Sequence, residues 1–179
     1  MLALSQPILR PGREATLVGP QDFRSAMREL ASGVCVITAG TQAGGRSGLT
    51  ATSVTSLAAN PASLLVCVNR ASSTFPLIQR EGVFGVNILG AVHQEVAERF
   101  SGKGGTKGED RYRDAQWTTL ATGAPILEDA LAALDCTVDE IIVRHSHGIV
   151  IGRVRAIRCT EKHESLLYWR AGYQSTNGG

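Results

Sequence analysis

The sequence predicts a mainly β fold, an antiparallel barrel with peripheral helices, and three observations carry that reading. Apolar runs of strand length outnumber helical stretches, the two kinds do not alternate regularly, and turn residues are scattered through a chain with 20 glycines and 6 prolines. Regular alternation would point instead to a doubly wound parallel sheet. At 179 residues and 43% hydrophobic content, the chain suits one domain. A domain of that size buries roughly 70% of its unfolded surface, so no disulfide or metal staple is needed.

Residues 1–20 read as a flexible arm, 21–174 as the single domain and 175–179 as a tail. Phe23 to Ala31 is a short helix that Asp22 can cap, with Phe23, Met27 and Leu30 on one face. Gly33 ends it, and Val34 to Thr38 follows as a β-branched strand. Gly40 to Gly48 marks a hairpin-like turn, and Leu49 to Leu57 is dominated by Thr and Ser. Asn60-Pro61 breaks the chain before a second strand, Leu64 to Asn69. Arg70 to Thr74 is a polar turn, Phe75 to Arg80 a short helix, and Val83 to Leu89 a third strand. Val92, Val96 and Phe100 recur every four residues, which predicts an amphipathic helix over 91–100. Gly102 to Gly108 is then a surface loop. Cys136 to Arg144 and Gly148 to Arg158 pair around a His-rich turn, and Tyr168 to Tyr173 forms an aromatic cluster.

Composition excludes several function classes. A net charge of +2 with 5% aromatic residues gives no footprint for nucleic acid. No apolar run is long enough for a transmembrane helix. Cys35, Cys67, Cys136 and Cys159 form no close pair, which argues against zinc and against a thioredoxin-type motif. The first 20 residues carry three prolines and two arginines, and lack the apolar stretch of a secretory signal. A cytoplasmic setting with reduced cysteines is expected.

Few segments can carry chemistry. Gly102-Lys103-Gly104-Gly105-Thr106-Lys107-Gly108 has the spacing of neither a P-loop nor a dinucleotide fingerprint; it is a solvated loop, or a lid whose lysines close over an anion. His145 and His147 share one face of a strand, and three readings stay open for them: a metal pair, a pocket-lining imidazole, or surface residues on a turn. No G-x-S-x-G elbow is present, and no Ser or Cys stands beside a base, so covalent catalysis has no candidate. Most informative is Gly48-Leu49-Thr50-Ala51-Thr52-Ser53-Val54-Thr55-Ser56, with seven small residues in nine and five hydroxyls. It reads either as an edge strand with a Ser/Thr face or as a ledge on which a flat, heteroatom-rich ring lies against main-chain groups. Asn69-Arg70-Ala71-Ser72-Ser73-Thr74 adds hydroxyls and an arginine at a helix N-terminus, where anions are favoured.

These segments, in this order, resemble the short-chain flavin reductase family, the small components of two-component flavin monooxygenases. Phe23-Arg24-Ser25-Ala26-Met27 and Gly33 to Thr38 match the family's opening, and Gly48 to Ser56 with Leu57-Ala58-Ala59-Asn60-Pro61 follow. Phe84 to Leu89, Ala97-Glu98-Arg99-Phe100-Ser101, Gly123 to Leu127 and Asp135 to Val138 complete a match over residues 22–174. The resemblance implies an antiparallel split β-barrel of the FMN-binding type that binds FMN or FAD, works as a homodimer, oxidises NADH or NADPH and hands reduced flavin to a separate oxygenase component. Carried over by position, it implies that Gly48, Leu49, Thr50, Thr52 and Ser53 line the isoalloxazine, with Cys67, Val68 and Asn69 flanking it. Ser73 and Thr74 would hold the phosphate, and Arg99 and Phe100 would close the site. His147, Tyr168, Trp169, Arg170 and Ala171 would meet the nicotinamide.

The chain departs from the family's pattern at His145-Ser146-His147, where Gly-Asp-His is common, so a negative charge beside His147 is missing. It departs again at Ala171-Gly172, where Gly followed by an acidic or polar residue is more usual. Both departures touch the pyridine-nucleotide side. No protein base or nucleophile is required, because hydride transfer depends on stacking two rings at ~3–3.5 Å in the right orientation. Two other readings remain at this stage: a flavin carrier without reductase activity, and an interaction module whose Ser/Thr strand is an exposed edge.

Overall fold

The computed structural model of the protein describes residues 17–41, 43–161 and 164–176. Its first seven strands by position are β1 (Ser32–Gly33), β2 (Cys35–Thr41), β3 (Gly45–Ala51), β4 (Val54–Ala59), β5 (Ala62–Asn69), β6 (Val83–Ile88) and β7 (Trp117–Thr119). Then come β8 (Pro125–Leu127), β9 (Ala132–Arg144), β10 (His147–Cys159), β11 (Leu166–Trp169) and β12 (Gly172–Ser175). Among the described residues three α-helices, α1 (Pro20–Met27), α2 (Thr74–Glu81) and α3 (Gln94–Phe100), lie around them.

Seven strands pair antiparallel in the order β3-β2-β6-β9-β10-β5-β4. The two outermost strands, β3 and β4, are consecutive in the chain and joined only by Thr52 and Ser53. Two linking residues reach about 10 Å at most, so the sheet must curl until its edges meet at that corner. The edges do not zip together, and the result is a split barrel. Inside the curl, Ile37, Val66, Val68, Phe84, Val86 and Val150 are fully buried, and α2 plugs one end with Phe75 and Ile78. Gly148 and Gly152 are glycines for packing reasons: a Cβ would come within 2.4 Å of the Phe75 and Phe84 rings respectively.

A second core lies outside the curl, where α3 and β8 cover β2 and β6 with Val36, Leu89, Val96, Phe100, Ile126 and Leu127. The apolar run of β2 is explained by that position, since Val36 and Ile37 face different cores. Phe100, Tyr112 and Trp117 form an aromatic triangle with ring centres 4.8–5.4 Å apart. The small β7–β8 sheet and the three-stranded sheet β1-β11-β12 complete the fold.

Several local expectations shift. The first helix starts at Pro20, with Gly19 rather than Asp22 at its N-cap, and ends at Met27 instead of Ala31. Proline fits the first helical position because its missing N–H is unpaired there anyway. The expected 91–100 helix is a 3₁₀ turn (Ala91–His93) followed by α3, and the change of pitch leaves Val92 74% exposed. Residues 103–105 of the glycine-rich loop form a short 3₁₀ turn. Residues 1–16 of the arm and 177–179 of the tail lie outside the described residues. No helix among the described residues is long and apolar enough to cross a membrane.

Candidate functional site

Thr52 and Ser53 belong to neither ladder, since the β2–β3 register ends at Ala51 and the β4–β5 register begins at Val54. Ser53 fixes the corner: its Oγ donates to the Cys67 carbonyl (3.1 Å) and accepts from the Cys67 N–H (3.3 Å). Thr52 is exposed, and its hydroxyl has no hydrogen-bond partner among the described residues. It stands between two adjoining hollows. One, of about 500 Å³, is lined by Thr50, Thr52, Glu98, Lys103, Tyr168 and Tyr173 among others. The other, of about 390 Å³, takes Thr52, Ser53, Tyr168, Trp169, Arg170 and residues of α1. Both volumes fall in the range of small-molecule sites.

The far wall of this cleft is the β11–β12 hairpin. Tyr168 and Tyr173 meet edge to face at 5.2 Å, and Arg170 lies over Trp169. The two turn residues, Arg170 and Ala171, have φ of 47° and 62°. A two-residue hairpin with right-handed strand twist needs that geometry, at roughly 1–3 kcal/mol of strain for each non-glycine residue. The Arg170–Glu29 pair (2.8 Å) and a bond from Arg170 N–H to the Arg28 carbonyl hold the turn against the two residues that follow α1. Burial first, then the charge of Glu98 and the neighbouring Tyr168, push the Tyr173 phenol above its ordinary range, so it is a protonated donor at neutral pH.

The ledge alternates instead of presenting one small-residue face, as a strand's period of two requires. Leu49 and Ala51 pack into the barrel core, whereas Gly48, Thr50 and Thr52 face outward. Gly48 is not bare: a Cβ there would sit 2.5 Å from the Phe100 ring, and Arg111 Nη1 donates to its carbonyl. Thr50 Oγ1 donates to the Ala97 carbonyl at 2.6 Å. On this face, therefore, Thr52 and the backbone of the 52–53 link remain for a ligand.

The other expected site residues divide. Cys67 and Asn69 sit on the outer face of β5, about 7 Å apart, leading away from Ser53. Val68, between them, is fully buried. His147 pairs with Asn69 in the β5–β10 register, so it stands at that far end and not with Tyr168–Ala171. Ser73 bonds Ser47 (2.7 Å), while Thr74 is fully buried. Ser73 lines a separate hollow of about 480 Å³ with Arg70 and Ser72. Arg99 faces Asp114 (3.7 Å) in a third hollow behind α3, and Phe100 lies in the outer core. Neither side chain closes the cleft; Phe100 props β3 from behind. Sequence reading missed Glu98 and Tyr173 as lining residues. The signal for Glu98 was its place three residues before Ser101 on one helix face, opposite the buried Val96 and Phe100.

Comparison with known proteins decides the family. The flavin reductase like domain matches residues 27–177. The chain belongs to that family. An "FMN reductase (NADH) RutF" of Bradyrhizobium diazoefficiens is 37% identical over 158 residues, covering 88% of this chain and 86% of the relative. Among solved structures, BorF, the flavin reductase component of a bacterial two-component tryptophan halogenase, superposes with a TM-score of 0.80 at 26% identity, covering 88% of this chain and 98% of BorF. The styrene monooxygenase flavin reductase of Pseudomonas putida gives 0.77 at 28% identity, with 88% and 99% covered. The mainly β, antiparallel split-barrel architecture is that of these flavin reductases.

Proposed function

We propose that this flavin reductase family member catalyses reduction of FMN by NADH in the cleft at the open corner of the barrel, and releases the reduced flavin to a separate oxygenase. The unpaired 52–53 link, set between two hollows and faced by tyrosine and tryptophan rings, carries the reading. Main-chain donors and acceptors left without a sheet partner need one from outside. The chain's own family supports it, as do the NADH-dependent naming of its relative and the monooxygenase pairing of its structural neighbour.

The residues fit a planar, polar ring. Bound flavin supplies the two-electron acceptor for a nicotinamide hydride. The backbone of Thr52 and Ser53 binds heteroatoms of the ring edge, with dipoles fixed in place by the Ser53–Cys67 clasp. Tyr168 and Trp169 exclude water from one side and offer surfaces for stacking. The aromatic triangle keeps β3 stiff, so the ring's seat does not relax. Burial pushes the Cys35 and Cys136 thiols up to about 12, which removes both as nucleophiles.

The test is anaerobic titration of protein with one equivalent of FMN by NADH. Flavin absorbance should bleach far faster than in free solution, and bound FMN should protect the half-buried Cys67 from a thiol reagent. Protection without bleaching would select a carrier over an enzyme; neither effect would sink the site.

The same reading includes a homodimer. Leu65, Ile142, Ile149 and Ile151 lie partly exposed on the outer face of β5, β9 and β10, opposite the core residues Val66 and Val150. A second copy covering this face would bring further groups to the far end marked by Asn69 and His147. Sedimentation equilibrium should return twice the chain mass, and a fully active monomer would count against it. A cytoplasmic setting fits the four free cysteines.

A further inference from the structure

Among the described residues lining the larger hollow, Lys103 is the single cation and Glu98 the single anion. The two are paired at 2.7 Å, yet they are unequal partners: the Lys103 side chain is 68% exposed and the Glu98 side chain 24%. Glu98 is held by its own helix as well, accepting from Gln94 Nε2 at 3.2 Å. Lys103 and Gln94 together keep its carboxyl below the usual range. Lys103, by contrast, sits on a hinge. Gly102 and Gly104 on either side have φ of 87° and 72°, a region open to glycine at little cost.

The turn is tethered on both sides of that hinge. Gly102 N–H donates to the Arg99 carbonyl, and Arg111 Nε holds the Thr106 carbonyl at 3.2 Å. Between the tethers, Gly105 N–H donates to the Gly102 carbonyl and Thr106 Oγ1 to the Lys103 carbonyl; both bonds hold the backbone and neither holds the exposed lysine side chain, which can turn away while Glu98 stays where it is.

We propose that Lys103 is a phosphate-recognition residue of the cleft, and that Glu98 is the placeholder which competes with the phosphate for it. This rests on the cleft being the flavin and nucleotide site. Both ligands of that reaction carry phosphate, one on FMN and a pyrophosphate on the dinucleotide, and the shared chemistry is an anionic phosphoryl oxygen meeting an ammonium. When the phosphate arrives, Lys103 leaves Glu98, and the carboxylate keeps only its bond to Gln94. That loss is set against the new contact, so the grip is deliberately weak. A reductase that must release its product to another protein gains from such a grip, because the carboxylate retakes the lysine as the phosphate departs.

The sign of two substitutions separates this device from a plain surface staple. Lys103→Gln and Glu98→Gln break the same ion pair. A staple for the turn would be weakened alike by both, whereas a placeholder predicts opposite effects on ligand affinity. The measurements are dissociation constants for FMN and for riboflavin, which lacks the phosphate, by fluorescence quenching, together with KM for NADH using riboflavin as acceptor. Lys103→Gln should weaken the phosphate-bearing ligand about five- to tenfold, and Glu98→Gln should tighten the same ligand about two- to fivefold. Lys107→Gln removes an equal charge from the same loop outside the hollow and serves as the matched control.

A shift for FMN but not riboflavin assigns the flavin phosphate, and a shift in the NADH constant assigns the dinucleotide; either supports the proposal. Shifts in the same direction for both variants, equal shifts for FMN and riboflavin with none for NADH, or no shift at all, overturn it. Failure of the site itself looks different. If a bulky side chain at position 52 leaves flavin binding intact, the cleft is the wrong place; if that variant loses flavin while these two behave as wild type, only the role of Lys103 falls.

Discussion

Thr52→Trp is expected to raise the dissociation constant for FMN at least about a hundredfold, near 2.7 kcal/mol, while leaving the urea midpoint almost unchanged. The position is suited to so large a change because it is structurally idle. Its side chain is exposed, makes no hydrogen bond among the described residues, and belongs to no ladder. Surface substitutions of that kind usually alter stability by about 0.5 kcal/mol or less. An indole placed there enters both hollows at once, since Thr52 lines each of them. Ser53→Tyr, at the neighbouring position, should also lose flavin, but it breaks the clasp to Cys67 and costs about 1–2 kcal/mol of stability besides. The contrast is useful: a binding loss with intact stability isolates the cleft from the fold. Wild-type affinity in Thr52→Trp would remove the open corner from the flavin site altogether.

Much of the fold was legible because its signals are local. The run from Val34 to Thr38, the break at Asn60-Pro61 and the His-rich turn each mark an element by composition alone. The order of the small-residue segment and the later motifs carried the family. What could not be read was the side each residue takes. Five hydroxyls in nine residues looked like one continuous shelf, but strand alternation sends Leu49 and Ala51 inward, and α3 covers Gly48 and Thr50 on the outer side. Val68 and Thr74 sit inside a motif and yet are wholly buried, which depends on what packs against β5 and against the start of α2. The β11–β12 hairpin faces Thr52 across more than a hundred residues of sequence, and no periodicity reports such a distance. The place of His147 was hidden for the same reason: its register partner is Asn69, which sets it at the end of β5 and apart from Tyr168–Ala171 within the chain.

Replacing Asn87 with leucine should destabilise the fold by about 2–4 kcal/mol, with the denaturant slope unchanged. Asn87 lies on β6 and is fully buried between β2 and β8. Its Nδ2 donates to the Val36 carbonyl at 3.1 Å, and its Oδ1 accepts from the Leu127 N–H at 2.8 Å. Strand β8 is not part of the main sheet and has no ladder to it. It is clipped on by this amide and by Thr38 Oγ1, which donates to the Pro125 carbonyl. Gly85 lets the two backbones approach, because a Cβ there would come within 2.7 Å of the same carbonyl. Leucine matches asparagine closely in shape, so a packing account predicts a nearly neutral substitution and a costly Asn87→Ala. The hydrogen-bond account predicts that leucine is about as damaging as alanine, because both strand the buried Leu127 N–H without its acceptor. For a chain of this length the loss corresponds to a Tm drop of roughly 4–16 °C. A leucine variant within about 1 kcal/mol of wild type would show that β8 is held by its apolar contacts with the outer core, and that the buried amide is incidental to them.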